Sequence, residues 1–143
     1  MEETNVGSNE EKSTIIMEGK ITSGLERGKY FLSKKGYRKR VKDKIGIDPK
    51  MGTLNIKLND TNAEKLKRLK DEDGYYIEGF EYKGEEYGGV KLFPAEIGGL
   101  DGAVVIPDMS HYDRTLELIS DHPLRDELDL TDGEVVQVVV NVP

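Results

Sequence analysis

Residues 52–58 constrain the fold more than any other segment, because apolar and polar side chains alternate strictly along them. An extended chain points successive side chains to opposite faces, so the alternation predicts a strand with one buried face. The apolar face comprises Leu54, Ile56 and Leu58. The polar face comprises Thr53, Asn55 and Lys57. Such a strand belongs in a sheet that covers a core on one side and leaves the other side for solvent or a ligand.

Similar short segments recur along the chain, and glycine-rich turns separate them. Further strands are predicted at residues 15–22, with a break or bulge near Gly19, and at residues 75–82, 86–93, 103–106, 116–119 and 134–142. The segments on either side of Lys83 and Gly84 predict a hairpin. About seven to nine short strands favour a barrel or sandwich over a doubly wound sheet. The predicted fold class is mainly β with short helices: a small, closed, mostly antiparallel β-barrel.

Three short helices complete the prediction. Residues 34–44 carry seven basic residues in eleven, and this helix should end at Gly46. Tyr37, Val41 and Ile45 recur at helical spacing and define its apolar face. The other two helices are expected at residues 63–70, capped by Asp60 or Asn62, and at residues 123–128. The basic face of the first helix is either a solvated surface or a surface that attracts a polyphosphate ligand.

Composition limits the classes of protein that this chain can belong to. Its 143 residues suffice for one domain with a core. We expect a disordered acidic and polar tail at residues 1–14 and a single domain at residues 15–143. The absence of cysteine excludes disulfides and cysteine nucleophiles, and a net charge of −7 argues against extensive nucleic-acid binding. Without a long apolar run or a signal-peptide pattern, a cytoplasmic protein is expected.

Two features of the sequence suggest contacts with a phosphorylated ligand. Thr53 and Asn55 place two uncharged oxygens on one strand face, where they could ligate Mg²⁺ or simply face solvent. Gly24 and Gly28 flank a loop whose backbone N–H groups could form an anion-binding nest, and a plain hairpin loop is the alternative. The loop lacks the Gly-Lys-Ser/Thr sequence of a Walker motif. Neither feature alone distinguishes the alternatives.

Several motifs taken together carry a resemblance to a known family. In chain order they are TSGLERGKYFLS at residues 22–33, GTLNIKL at 52–58, GAVVIP at 102–107, LRDEL at 124–128 and LTDGEV at 130–135. In this order and spacing the chain resembles the archaeal CTP-dependent riboflavin kinases. The resemblance implies a cradle-loop β-barrel that transfers the γ-phosphoryl group of CTP to the 5′-hydroxyl of riboflavin, giving FMN and CDP. It implies Mg²⁺ as the cofactor, and we expect a monomer without nucleic-acid or membrane partners.

The resemblance also implies roles for individual residues. The implied nucleotide contacts are Gly24, Leu25, Glu26, Arg27, Gly28, Lys29, His122, Pro123, Leu124 and Arg125. The implied Mg²⁺ ligands are Thr53 and Asn55, and the implied flavin contacts are Met109 or Ser110 and Glu117. Two positions depart from the family pattern. Glu26 replaces a glycine, and Ser110 precedes His111 where the family has a threonine.

Two questions stay open at the level of sequence. Glu117 could accept a proton from the attacking hydroxyl as the catalytic group, or it could only hydrogen-bond the flavin. A DNA-binding function is the alternative from another class, because residues 124–134 also resemble the closing segment of AbrB-type swapped-hairpin transcription factors. Such modules are far shorter and need a basic face, so the length and acidity of this chain favour the kinase.

Overall fold

The computed structural model describes residues 13–23, 35–49, 53–108 and 114–143. The strands in these ranges are β1 (Ser13–Thr22), β2 (Thr53–Leu58), β3 (Tyr75–Ile77), β4 (Phe80–Tyr82), β5 (Glu85–Tyr87), β6 (Val90–Ile97), β7 (Leu100–Pro107), β8 (Thr115–Ile119) and β9 (Val135–Val142). The helices are α1 (Lys35–Ile45), α2 (Asp60–Lys70) and α3 (Leu124–Glu127). None of these helices has the length and apolar character needed to cross a membrane.

Six strands close into an antiparallel barrel in the order β6-β7-β8-β2-β1-β9, and pairing of β9 with β6 completes the ring. Along one edge, β6 therefore has two partners in succession. Leu92 in its first half pairs with Tyr75 of β3, and Ala95 in its second half pairs with Val140 of β9. Pro94, which has no N–H to donate, lies between the two partners. The predicted closed, mostly antiparallel β-barrel is confirmed.

The barrel interior takes up the apolar face of each strand. In β2 the buried residues are Leu54, Ile56 and Leu58, as the alternation predicted. Met17 of β1 and Phe93 of β6 are fully buried in the same cluster, and α2 adds Leu66 and Leu69 to it. Because burial of one such side chain contributes about 1.5–3 kcal/mol, this interior supplies the main force that keeps the ring closed.

A second apolar cluster lies outside the barrel, beneath α1. Tyr37 and Val41 of α1 are fully buried and pack with residues of β3, β5, β6, β7 and β8. The Tyr37 hydroxyl donates a hydrogen bond of 2.6 Å to the carbonyl of Gly88, between β5 and β6. Gly46 ends the helix with a φ of 78°. The amphipathic helix predicted near residues 34–44 is therefore present, with its apolar face against the sheet.

β1 differs from the prediction at its start and in its middle. It begins at Ser13, inside the expected tail, of which residues 1–12 lie outside the described ranges. It runs through Gly19 with no break or bulge, because its register with both β2 and β9 is continuous. A β-carbon at Gly19 would lie 2.5 Å from the Lys57 carbonyl oxygen and 2.6 Å from Ile56 Cγ2. The glycine thus permits close packing of neighbouring strands, which explains why it does not interrupt β1.

The start of α2 also differs from the prediction, because its cap is neither Asp60 nor Asn62. The side-chain oxygen of Asn59 accepts a hydrogen bond of 3.0 Å from the N–H of Asn62, so Asn59 is the N-cap and the helix starts at Asp60. Asn62 instead accepts a hydrogen bond of 2.9 Å from the N–H of Glu18 through its side-chain oxygen. This bond attaches α2 to β1.

The hairpin predicted around Lys83 and Gly84 is present but shorter than expected. β4 and β5 form a separate two-stranded sheet, and both turn residues have positive φ angles, 52° and 83°. Such angles suit a two-residue hairpin turn. The flanking strands β3 and β6 pair with each other after the interruptions at residues 78–79 and 88–89. The predicted strand 75–82 is therefore divided into β3 and β4, and the predicted strand 86–93 into β5 and the first half of β6.

We expect Gly19→Ala to destabilise the barrel by about 1–3 kcal/mol, because the added methyl group overlaps the Lys57 carbonyl on the neighbouring strand. Gly88→Ala is the matched control, since its β-carbon would meet nothing within 4 Å. Urea unfolding of both variants and the wild type measures the change in the free energy of unfolding. Equal midpoints for Gly19→Ala and the wild type would contradict the requirement for close strand approach.

Candidate functional site

The polar face of β2 lies at the centre of a row of side chains that crosses three strands. Asn55 pairs with Thr22 of β1 on one side and with Glu117 of β8 on the other. Residues paired in this way point to the same face, with β-carbons about 4.5–5.5 Å apart. The row lies on the outer side of the barrel, because the neighbouring Ile56 faces the core. We call these three residues the polar row.

The oxygens of Thr53 and Asn55 are suited to bind a cation. Asn55 is only 7% exposed, and both its Oδ1 and the Oγ1 of Thr53 are buried. Within the part of the chain that the structure describes, Thr53 Oγ1 has no hydrogen-bond partner. A buried hydroxyl without a partner costs about 1–3 kcal/mol, so a ligand at this position would relieve that cost.

This set of oxygens fits Mg²⁺ in the presence of a phosphorylated ligand. Among the described residues, no group of three or more His, Asp or Glu side chains could hold a metal ion by itself. Mg²⁺ commonly takes one or two protein oxygens and completes its coordination with waters and substrate phosphates. The pair Thr53 and Asn55 provides two oxygens on one rigid strand, which matches that pattern and not an all-protein cage.

Glu117 is an acidic side chain in an apolar setting. It is 8% exposed, and this burial raises the pKa of its carboxyl group. A carboxyl group whose pKa is moved towards neutrality is a stronger base once it has lost its proton. Its position opposite Asn55 places that base beside the candidate cation site. The geometry is compatible with both predicted roles, proton acceptor and flavin contact.

The segment 122–125 is fixed where it leaves β8. The Ser120 hydroxyl donates a hydrogen bond of 2.6 Å to the carbonyl of Asp101 and accepts one of 3.1 Å from the N–H of His122. Leu124 is buried in the barrel core. These contacts hold the predicted nucleotide contacts of α3 against the end of the barrel. The backbone of this segment is therefore ordered by the protein itself.

His122 and Pro123 have local roles in the same segment. His122 Nδ1 lies 3.0 Å from Glu127 Oε2, and both side chains are partly exposed. The carbonyl of Pro123 accepts hydrogen bonds from the N–H groups of Asp126 and Glu127, which starts the short helix. His122 is thus a partly exposed side chain in the segment that precedes α3.

Three side chains join α3 to the end of β1. Arg125 donates a hydrogen bond of 2.8 Å to Asp132, and the Ser23 hydroxyl donates one of 2.6 Å to the other oxygen of that carboxylate. These two hydrogen bonds, first that of Ser23 and then that of Arg125, lower the pKa of Asp132. Ser23, which directly precedes the predicted nucleotide loop in the sequence, therefore shares the Asp132 carboxylate with Arg125.

Most of the predicted site residues that the structure describes lie at one end of the barrel. β1 ends there at Thr22, β2 begins there at Thr53 and β8 ends there at Ile119, because these strands are antiparallel and in register. The segment 120–125 continues directly from β8 at this end. The candidate metal ligands and the nucleotide contacts of α3 are thus brought together, although 67 or more positions separate them in the sequence.

The remaining predicted contacts fall outside the described residues. They are Gly24, Leu25, Glu26, Arg27, Gly28, Lys29, Met109 and Ser110. The described residues beside them show where the two segments attach. The first segment follows Ser23, at the Thr53 end of β2. The second ends before Arg114, whose carbonyl accepts a hydrogen bond of 2.8 Å from Leu58 at the other end of β2.

Sequence reasoning missed three residues of this site. Thr22, Ser23 and Asp132 lie in the ordered motifs at residues 22–33 and 130–135, but the motifs assigned no site role to any of them. Strand pairing aligns Thr22 with Asn55, and a hydrogen bond joins Ser23 to Asp132 across 109 positions. A single polar residue in a turn is too common to indicate such a partner. The barrel register identifies Thr22, and the hydrogen bond identifies Ser23 and Asp132.

Curated relatives cover most of this chain. Riboflavin kinase of Archaeoglobus fulgidus is 42% identical over 132 residues, which are 92% of this chain and 57% of the relative. Riboflavin kinase of Thermoplasma acidophilum is 37% identical over 129 residues, 90% of this chain and 59% of the relative. Riboflavin kinase of Ignicoccus hospitalis is 42% identical over 127 residues, which are 88% of this chain and 71% of the relative. The chain spans little more than half the length of the first two relatives.

A family model also matches the chain, over residues 21–140. The model is named CTP-dep_RFKase and is described as "Domain of unknown function DUF120". The matched range contains the polar row, Thr53 and the whole of α3. These matches confirm the resemblance that the ordered motifs indicated: the chain belongs to the CTP-dep_RFKase family.

Proposed function

We propose that this chain is a CTP-dependent riboflavin kinase that transfers the γ-phosphoryl group of CTP to the 5′-hydroxyl of riboflavin. The observation that carries the proposal is the polar row beside Thr53, at the barrel end where Asp132 joins α3 to Ser23. Phosphoryl transfer needs positioning, charge neutralisation and in-line geometry more than covalent participation by the protein. The names of the relatives support riboflavin as the acceptor.

The nucleotide is proposed to bind at the Thr53 end of β2. Its contacts are Gly24, Leu25, Glu26, Arg27, Gly28, Lys29, His122, Pro123, Leu124 and Arg125. Arg125 and the residue before Gly24 share the carboxylate of Asp132, which supports a single site formed by both segments. Cytosine offers an amino donor and ring acceptors, and the backbone groups of an ordered turn can hydrogen-bond both. A site that fits a small base would reject a purine by shape and by unpaired polar groups.

Mg²⁺ is proposed to be held by Thr53 and Asn55. The ion would neutralise negative charge on the phosphates during transfer. The contribution of the chain is to hold both oxygens on one strand, buried from water and beside Glu117. Because the two oxygens are uncharged, affinity for the ion should depend on the phosphates of the nucleotide.

Glu117 is proposed to accept the proton of the attacking hydroxyl. The 5′-oxygen of riboflavin forms a bond to the γ-phosphorus, the bond from that phosphorus to the bridging oxygen breaks, and CDP leaves. The proton of the hydroxyl passes to the Glu117 carboxylate and then to solvent. The elevated pKa of this buried group favours that step. Met109 or Ser110 is proposed to contact the flavin together with Glu117.

No specific observation favours the alternative of a DNA-binding module. In the segment that resembles such modules, Arg125 already donates to Asp132. The same segment carries further acidic side chains at Asp126, Glu127 and Asp129. A DNA-binding face needs unpaired basic groups, since phosphate contacts supply most of the affinity.

The proposed activity is tested by incubating riboflavin with the protein, Mg²⁺ and each of CTP, UTP, ATP and GTP at equal, subsaturating concentration. We expect riboflavin to gain the mass of one phosphoryl group, fastest with CTP. Equal or faster turnover with ATP would contradict the preference for CTP but would still support a riboflavin kinase activity. No FMN from any of the four nucleotides would contradict the kinase.

Two substitutions test the metal site. Thr53→Val should not lower the free energy of unfolding, because Thr53 Oγ1 has no partner among the described residues, but it should raise the Mg²⁺ concentration needed for turnover. Asn55→Leu should lower the rate by about a hundredfold or more at limiting Mg²⁺. Asn141→Leu, at an exposed position of β9, is the control. Normal turnover of Asn55→Leu at limiting Mg²⁺ would remove Asn55 from the metal site.

The role of Glu117 is tested by pH–rate profiles of the wild type and Glu117→Gln. A base works only when deprotonated, so wild-type kcat should rise with pH through a pKa above the ordinary value of about 4.3. Glu117→Gln should lose this rise and about a hundredfold or more of kcat. Glu96→Gln, an exposed carboxylate of β6, is the control. A raised KM for riboflavin with unchanged kcat would instead make Glu117 only a flavin contact.

A further inference from the structure

Two lysines face each other on the outer side of the barrel, next to the polar row. Lys20 of β1 pairs directly with Lys57 of β2. Both side chains are exposed, and among the described residues neither ammonium group forms a hydrogen bond or an ion pair. Like charges placed opposite each other on paired strands destabilise a sheet. An anionic ligand between the two ammonium groups would remove that repulsion.

The lysine pair lines a pocket of about 300 Å³. Its walls include Gly19, Leu58 and Val135, and Val135 pairs with Lys20 on the third strand of this face. Glu18 lies in the same pocket, so the three charged side chains carry a net charge of +1. The pocket thus places the exposed apolar side chain of Val135 beside two cationic groups, which suits a ligand that carries both an apolar part and a phosphate.

The position of the pair along β2 indicates which phosphate it would bind. Thr53, Asn55 and Lys57 follow one another along the same face, two residues or about 7 Å apart at each step. The nucleotide segments attach at the Thr53 end, and the chain leading from the proposed flavin contacts rejoins beside Leu58 at the other end. In-line transfer places the moving phosphoryl group between donor and acceptor. Because Glu117, the proposed proton acceptor, is paired with Asn55, that point lies beside Asn55 and Glu117, one step along the strand from Lys57.

We propose that Lys20 and Lys57 bind the phosphoryl group during its transfer and then the 5′-phosphate of the flavin product. This inference rests on the proposed kinase function. Each ammonium group donates charge-assisted hydrogen bonds to phosphate oxygens, and its flexible stem lets it follow the group as it moves. Riboflavin carries no phosphate, so the pair distinguishes the product from the acceptor. Lys57 extends the motif of Thr53 and Asn55 by one further functional position.

Calorimetric titration of FMN and, separately, riboflavin into the wild type, Lys57→Met and Lys20→Met tests this site. We expect each substitution to weaken FMN binding by about tenfold or more and to change riboflavin binding by less than about twofold. Lys67→Met, an exposed lysine of α2, is the matched control and should bind both ligands as the wild type does. Unchanged FMN affinity in both variants would overturn the inference.

This outcome is separable from that of the proposed function. If the wild type makes FMN and both lysine variants bind FMN normally, the proposed kinase function is supported and the proposed phosphate site at Lys20 and Lys57 is contradicted. If the wild type makes no FMN from any nucleotide, the kinase fails. A melting temperature raised by inorganic pyrophosphate in the wild type and in Lys67→Met, but not in Lys57→Met, would then still support an anion site at the pair.

Discussion

The register of β1, β2 and β8 is the constraint on which the candidate site depends. A slip of one residue in β2 would turn Asn55 towards the core and Ile56 towards solvent. The burial of Ile56 therefore fixes the outward direction of its polar neighbours. The same register aligns Thr22 and Glu117 with Asn55. The chemistry of the outer face is thus positioned by the hydrophobic effect acting on the inner face.

The solvent exposure of the site residues depends on what surrounds them on the outer side of the barrel. Thr53 pairs with Ile119, which is fully buried in the second apolar cluster beneath α1. On the same face, Asn55 and Glu117 follow Thr53 and Ile119 along the two strands, and both are less than a tenth exposed. Hydration of Glu117 would leave the pKa of its carboxyl group near the ordinary value, whereas its burial raises that pKa.

Contacts at the end of the barrel position α3 but contribute little to the free energy of unfolding. The hydrogen bonds of Asp132 to Arg125 and Ser23 lie on the surface, where such pairs contribute about 0–1 kcal/mol. Their effect is to hold α3 beside Ser23, at the end of β1. Gly19 has a comparable role between β1 and β2, because its missing β-carbon admits the Lys57 carbonyl. Small local features of this kind set the distances that the closed barrel requires.

The sequence by itself determined the elements whose signals are local. Alternation in residues 52–58 predicted β2 and its faces, helical spacing predicted α1, and ordered motifs predicted the family. Tertiary structure decided what depends on partners distant in the chain: the unbroken course of β1 at Gly19, the row through Asn55 and the bridge at Asp132. Period-two patterns state which face a residue occupies but not which strand lies beside it. Barrel closure sets those neighbours, because the apolar face of each strand must be buried against other strands inside the ring.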